Sequence, residues 1–238
     1  MAYPPATIPA STLSREVALA INQQLREAYG RHQWDPRYDP LSELIYTVLS
    51  QNTSDVNSHR AFQRLRACFP AWEKLLDAPV EEIAAAIQPG GLAQVKAPRL
   101  KTILARIIEE RGTLDLSFLK DKDVSSAREW LRGLPGVGAK TASIVLLFSL
   151  GKPALPVDTH VHRVTRRLGL IGERDSAEKA HDVLEALLPP EDYYDFHVNV
   201  LTHGRRVCSA RKPQHEVCVV KDLCQAYQRF IEAGDAVR

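Results

Sequence analysis

The chain of 238 residues has no apolar run long enough to cross a membrane. Its most apolar stretch, Ala142 to Leu150, contains Ser143 and Ser149 and predicts a buried core helix. The opening Met1-Ala-Tyr-Pro-Pro-Ala lacks the charged-then-apolar order of a secretory leader. No segment alternates apolar and polar residues between turn signals, which argues against a fold built on strands. There is no internal repeat and no low-complexity tract. Charge is scarce in excess: 31 Lys and Arg against 29 Asp and Glu leave a net charge of +2, too little for composition alone to announce a nucleic-acid binder. Cysteine is scarce too. Of 4 in all, Cys208, Cys218 and Cys224 crowd the C-terminal end. That pattern argues for a reducing compartment, by default the cytoplasm, and for a metal site rather than disulfides.

What is present is helical periodicity. Residues 1–11 look disordered. Ser14 to Tyr29 predicts an amphipathic helix stopped by Gly30. Asp39 and Pro40 open a helix to Ser50, and Ser54 caps another to about Phe69. Further helices are expected over Ala71–Asp77, Val80–Ile87, Pro98–Glu110, Ser125–Arg132, Ala139–Leu150, Thr159–Leu168, Ser176–Leu187, Glu191–His203 and Lys221–Glu232. Cys68 is expected on an apolar face, in the core. The class is all-α. The basic pairs His162-Arg163, Arg166-Arg167, Arg205-Arg206 and Arg211-Lys212 all fall in the last third. Each alone suits a solvated face; together they favour a surface facing phosphates.

The chain is organised around Leu134-Pro-Gly-Val-Gly-Ala-Lys140-Thr-Ala-Ser-Ile-Val-Leu-Leu-Phe148 and Val157-Asp158-Thr-His-Val161. Leu134 to Gly138 is a tight turn between helices. Gly136 and Gly138 are free to take positive φ and to bring bare backbone near a partner, with Val137 between them. Backbone N–H groups opening a helix suit a DNA phosphate. For a lone G-x-G a ligand-free corner is the better explanation. Lys140 adds chemistry: the positive end of its helix favours a free amine, which can form Schiff bases with sugar aldehydes. Asp158 is placed as an N-cap, and it is also the carboxylate that N-glycosidic bond cleavage needs beside an amine.

LPGVGxKTAxxVL followed by VDTHVxRVxxRLGL resembles the helix-hairpin-helix, Gly/Pro-rich, aspartate superfamily of DNA glycosylases, and within it the endonuclease III group. The resemblance runs from about Asp39 to Cys224. It implies two helical lobes with an active-site cleft between them. A barrel lobe over 39–151 would carry the hairpin, and 12–38 with 152–238 would form the other. It implies a bifunctional DNA glycosylase and abasic-site lyase that removes oxidised pyrimidines from duplex DNA, with Lys140 and Asp158 catalytic. A monofunctional mismatch glycosylase and a non-catalytic DNA-binding module are the alternatives. Lys140 argues against the first and Asp158 against the second.

The resemblance also assigns the loops. A base must leave the stack before its glycosidic bond can be reached, and something fills the hole. In the family a glutamine does so; aligning Asp55 puts Asn52 at its position, with Gln51 beside it. Leu92, on the Gly90-Gly91 turn, matches a leucine that wedges into the opposite strand. The family holds a four-iron, four-sulfur cluster on C-x6-C-x2-C-x5-C, where this chain has Cys208, His215, Cys218 and Cys224 in the same spacing. Histidine can replace cysteine on iron. A cluster with His215 as fourth ligand, a Cys3His zinc and an empty site are the three readings, with Arg211 and Lys212 on the loop facing phosphates. The partner implied is duplex DNA bearing a damaged base or abasic site. The protein is expected to be a monomer associated with the nucleoid.

Overall fold

The computed structural model describes the backbone of residues 10–235 and the side chains of residues 15–232. Among the described residues every regular element is a helix. Disorder was expected over residues 1–11. Positions 1–9 lie outside the description, whereas Ala10 and Ser11 already belong to a helix. The chain divides into two compact units. One is Trp34–Ala154; the other, as far as described, is Met1–Gln33 with Leu155–Arg238.

The unit Trp34–Ala154 is built on α2 (Pro40–Ser50). Asp39 Oδ1 accepts from the N–H groups of Leu41 and Ser42 at 3.1 and 3.0 Å, and Pro40 occupies the first turn, where its missing N–H costs nothing. Leu41, Leu44, Ile45, Val48 and Leu49 recur at helical spacing and are at most 1% exposed. Burying each such side chain contributes about 1.5–3 kcal/mol. Helix α2 packs on α3 (Asp55–Cys68), α6 (Ala93–Arg111) and α8 (Ala139–Ile144), while α4 (Trp72–Asp77) packs on α6, α5 (Val80–Ile87) on α3 and α6, and α7 (Val124–Arg132) on α8. They share one core that runs from Leu41 to Ala154.

Three expectations are corrected here. Cys68 is exposed: α3 ends on it, and Phe69 takes the core position instead. Helix α6 begins at Ala93, not at Pro98, which lies inside it. Proline removes one N–H from the ladder, but Gln94, whose carbonyl would have accepted it, is exposed and has water available. The helix expected to reach Leu150 keeps α geometry only to Ile144. Val145–Ser149 forms a π turn, and Trp34 Nε1 donates to the Leu147 carbonyl there at 2.7 Å.

The second unit comprises α1 (Ala10–Tyr29), α9 (Thr159–Leu168), α10 (Ala177–Leu187), α11 (Tyr193–Arg206) and α12 (Gln225–Asp235). Helices α1 and α9 both pack on α11, and α12 packs on α9. Arg26 of α1 forms ion pairs with Asp192 and, at 3.1 Å, with Asp195. The His32 N–H donates to Asp195 Oδ1 at 2.7 Å. Helix α11 starts later than expected because Pro190–Asp192 forms a separate 3-10 turn. Helix α12 starts at Gln225 rather than Lys221, because Cys224 adopts an extended conformation between it and the short turn Lys221–Leu223.

Candidate functional site

The turn between α7 and α8 is a hairpin of two buried anchors and three exposed glycines. Leu134 and Val137 are 2% and 6% exposed, and the Val137 N–H donates to the Leu134 carbonyl at 3.1 Å. Gly136 has φ +74°. The conformation favours glycine, and a Cβ there would lie 2.7 Å from Arg99 Nε and displace that side chain. Gly138 departs from expectation: its φ is −94° with ψ −178°, which any residue adopts. Its value is openness, since a Cβ there would meet nothing within 4 Å. It forms the N-cap of α8, and Lys140, half-buried, is the second residue of that helix.

Asp158 begins α9 and performs the capping role: Oδ1 accepts from the N–H groups of His160 at 2.8 Å and Val161 at 2.7 Å. Both bonds fall on one oxygen, so among the described residues Oδ2 has no protein donor. The segment before it is held by three side chains that sequence reasoning passed over. His181 Nδ1 donates to the Leu155 carbonyl at 2.7 Å and His197 Nδ1 to the Pro156 carbonyl at 2.9 Å. Glu185 Oε1 accepts from the Leu155 N–H at 2.8 Å. Both histidines are 4% exposed. Each carbonyl acceptor sets the Nδ1–H tautomer.

In the Trp34–Ala154 unit, Gln51 and Asn52 are separated by their surroundings. Gln51 is half-buried and engaged. Its Oε1 accepts from Arg99 Nη1 at 3.1 Å, and its Nε2 faces the Gly136 carbonyl at 3.4 Å. Asn52 is exposed, with φ +55°. Leu92 is 52% exposed, with φ +52°, and starts α6 without a side-chain cap. These are the only positive-φ residues other than glycine among the described residues. Each such conformation costs about 1–3 kcal/mol. Between the two loops lies Lys96, 2% exposed. Its Nζ donates to the carbonyls of Leu49 and Gly90 at 2.7 and 2.9 Å. Burial, then the neighbouring Arg99, lowers its pKa from the ordinary lysine value. Nothing in the sequence pattern distinguished this lysine from Lys101 on the same helix, which is only half-buried.

The cysteine loop of the other unit surrounds a cavity of about 170 Å³. Cys208, Cys218, Cys224 and His215 line it, and so does His203, which carried no expected role. All three cysteines are free thiols. Burial raises the pKa of Cys218 and Cys224, and the other thiols of the loop add to it. Arg167 Nη1 points at Cys208 Sγ at 3.2 Å. His203 Nε2 lies 3.6 Å from Cys218 Sγ, while its Nδ1 meets the Tyr29 hydroxyl at 2.9 Å. Burial lowers the His203 pKa to about 4. The His215 ring is stacked on Phe230, with centroids 5.2 Å apart, and leans on Tyr227. The donors do not converge on one point: among the described residues no three His, Cys, Asp or Glu side chains gather around a single ion position. Three thiols and an imidazole around an otherwise largely apolar cavity fit a group of several atoms. Arg211 and Lys212 are exposed on this loop, whose turn is closed by Ser209 Oγ accepting the Lys212 N–H at 3.2 Å.

The HhH-GPD model, that of a superfamily of base excision DNA repair proteins, matches residues 45–190. The iron-sulfur binding domain of endonuclease III matches residues 208–224. Endonuclease III of Thermotoga maritima is 37% identical over 191 residues, 80% of this chain and 85% of the relative. A putative DNA glycosylase of Arabidopsis thaliana is 40% identical over 169 residues, 71% of this chain, which spans 57% of the plant protein's length. A solved endonuclease III trapped as a covalent intermediate with DNA is similar at TM-score 0.78 and 27% identity, over 91% of this chain and 98% of that one. No helix among the described residues is long and apolar enough to cross a membrane.

Proposed function

The chain belongs to the HhH-GPD superfamily of base excision DNA repair proteins and is a DNA glycosylase with abasic-site lyase activity of the endonuclease III type; from that premise we propose that it removes oxidised pyrimidines from duplex DNA with Lys140 as nucleophile and Asp158 as its acid–base partner. The Lys140 amine attacks C1′ of the damaged nucleotide as the base leaves. Asp158 stabilises positive charge on the sugar and accepts the proton that the amine sheds. The resulting glycosylamine opens by breaking its C1′–O4′ bond to give a Schiff base, and β-elimination breaks the strand on its 3′ side. What carries this reading is the joint occurrence of the open Gly136–Gly138 hairpin with Lys140 in the first turn of its helix and an Asp158 that keeps one carboxylate oxygen free of its cap.

The hairpin backbone over Gly136, Val137 and Gly138 binds a phosphate in this reading. Asn52, exposed at a strained loop tip, is the residue that fills the vacated base position; Gln51 is committed to Arg99 and the hairpin. Leu92 wedges the opposite strand, and Arg211 and Lys212 touch phosphates. Protein monomers act on nucleoid DNA carrying a damaged base or abasic site.

Cys208, Cys218, Cys224 and His215 hold a four-iron, four-sulfur cluster. The cavity suits this better than one zinc ion, whose thiolates must lie about 2.3 Å from a common centre. When bound, such a cluster supplies metal–ligand bonds that cross-link the loop. Arg167 places its charge 3.2 Å from the Cys208 sulfur.

Borohydride trapping on an abasic duplex tests the function. A covalent protein–DNA adduct is expected, and it should disappear in Lys140→Gln while duplex binding persists. An active enzyme that cannot be trapped is monofunctional. Binding without turnover of any lesion leaves only a DNA-binding module.

A further inference from the structure

The buried Lys96 serves neither the proposed chemistry nor an ion pair. Yet it is among the largest fully buried side chains of the described residues. Its ammonium is spent on two backbone carbonyls from two different loops. Leu49 O belongs to the end of α2, three residues before Asn52; Gly90 O lies two residues before Leu92. The two stretches of backbone also lie near each other. A Cβ on Gly90 would lie 3.0 Å from Ala61 Cβ and 3.9 Å from the Leu49 carbonyl. The tips that this lysine joins are the two non-glycine residues held at positive φ, 55° at Asn52 and 52° at Leu92. Strain of that kind persists only where the surroundings over-determine it. A simple core would fill the Lys96 position with an apolar side chain, since burying an ammonium is costly and only its two strong bonds offset that cost.

We propose that Lys96 is a positioning residue that holds the Asn52 and Leu92 loops in one frame, so that plug and wedge enter the duplex as a single device. This rests on the roles given above to Asn52 and Leu92. The physical consequence is a coupling: neither tip can relax from its left-handed conformation without moving a carbonyl that Lys96 also ties to the other loop. The two insertions into the base stack then share one ordering step rather than two. A mispositioned loop costs rate out of proportion to the displacement.

Lys96→Met keeps the stem and removes the ammonium. The readout is the rate of borohydride trapping on an abasic site in a duplex and on the same strand without its complement, where there is no opposite strand to wedge and no gap to fill. Trapping on the duplex should slow roughly ten-fold, well inside what misplacement can cost, and trapping on the single strand should stay within two-fold. Asn52→Ala combined with Lys96→Met should lose less on the duplex than the product of the two single losses, because both remove the same device. Equal slowing on both substrates, no slowing on the duplex, or fully multiplicative losses would overturn the proposal. Unsubstituted protein that traps neither substrate instead overturns the Lys140 assignment beneath it. If Lys96→Met does not fold, hydrogen exchange on the unsubstituted protein decides. Peptides covering 48–55 and 87–96 should gain protection together as abasic duplex is added; protection of one without the other rules the coupling out.

Discussion

Lys140 and Asp158 carry separate expectations. Because the hairpin backbone holds the phosphate in the proposed function, Lys140→Gln should abolish trapping with little change in duplex affinity; parallel loss of both would make Lys140 an anchor. Asp158→Asn keeps a capping oxygen, so it should cost less than ~1 kcal/mol of stability while slowing turnover at least ~10²-fold. A stable variant with near-normal turnover would reduce Asp158 to its cap. Glu43 offers a pH test away from the chemistry. It is fully buried on α2 and paired with Arg37, and burial outweighs that partner, so its pKa lies above the ordinary glutamate value. The folded state therefore keeps a proton that the unfolded chain has already released. Stability contributed by this group is present below the unfolded value of about 4.3 and is lost as pH rises through the raised folded value. Melting temperature followed upward from pH 4 should show that decline, and Glu43→Gln should flatten it.

At the scale of elements, the hairpin and the segment before α9 depend on contacts from outside themselves. Gly136→Ala forces φ +74° on a side chain, at about 1–2 kcal/mol, and drives Arg99 from its place. Arg99 would then release Gln51, so the variant should lose duplex affinity several-fold by fluorescence anisotropy as well as stability. Unchanged affinity would mean that the hairpin does not bind the duplex. His197→Ala leaves the Pro156 carbonyl without its donor, which should cost about 1–3 kcal/mol. It should also slow trapping, because the chain that delivers Asp158 loses one of its restraints; thermal melting and single-turnover trapping check the two effects separately. The start of α2 was legible from Asp39 and Pro40, and that of α9 from Asp158, because capping is local. The start of α6 was not: a leucine at positive φ begins it, and no sequence rule places one there.

For the whole molecule, the loop over 208–224 decides what the cofactor is. Anaerobically purified protein should be brown, with about four irons per chain if the whole cluster is present. His215→Cys should retain the colour and leave Lys140 trapping unchanged. Colourless protein whose metal analysis returns zinc would overturn the cluster but not the glycosylase, since the roles proposed for Lys140 and Asp158 do not depend on the cluster. What the amino-acid sequence determined by itself was the all-α class, the hairpin, the Asp158 cap and the four-donor spacing. Each depends on residues near one another in the chain, where helical period, capping chemistry and glycine freedom act. Only the tertiary structure decided that Gln51 is engaged while Asn52 is exposed, and that Cys68 faces solvent. It alone showed that His203 borders the thiol cavity, that His181 and His197 brace the approach to Asp158, and that Lys96 joins two loops. Those facts are hydrogen bonds and burial between residues far apart in sequence. An isolated lysine or histidine in a string of residues carries no mark of the carbonyl it will meet.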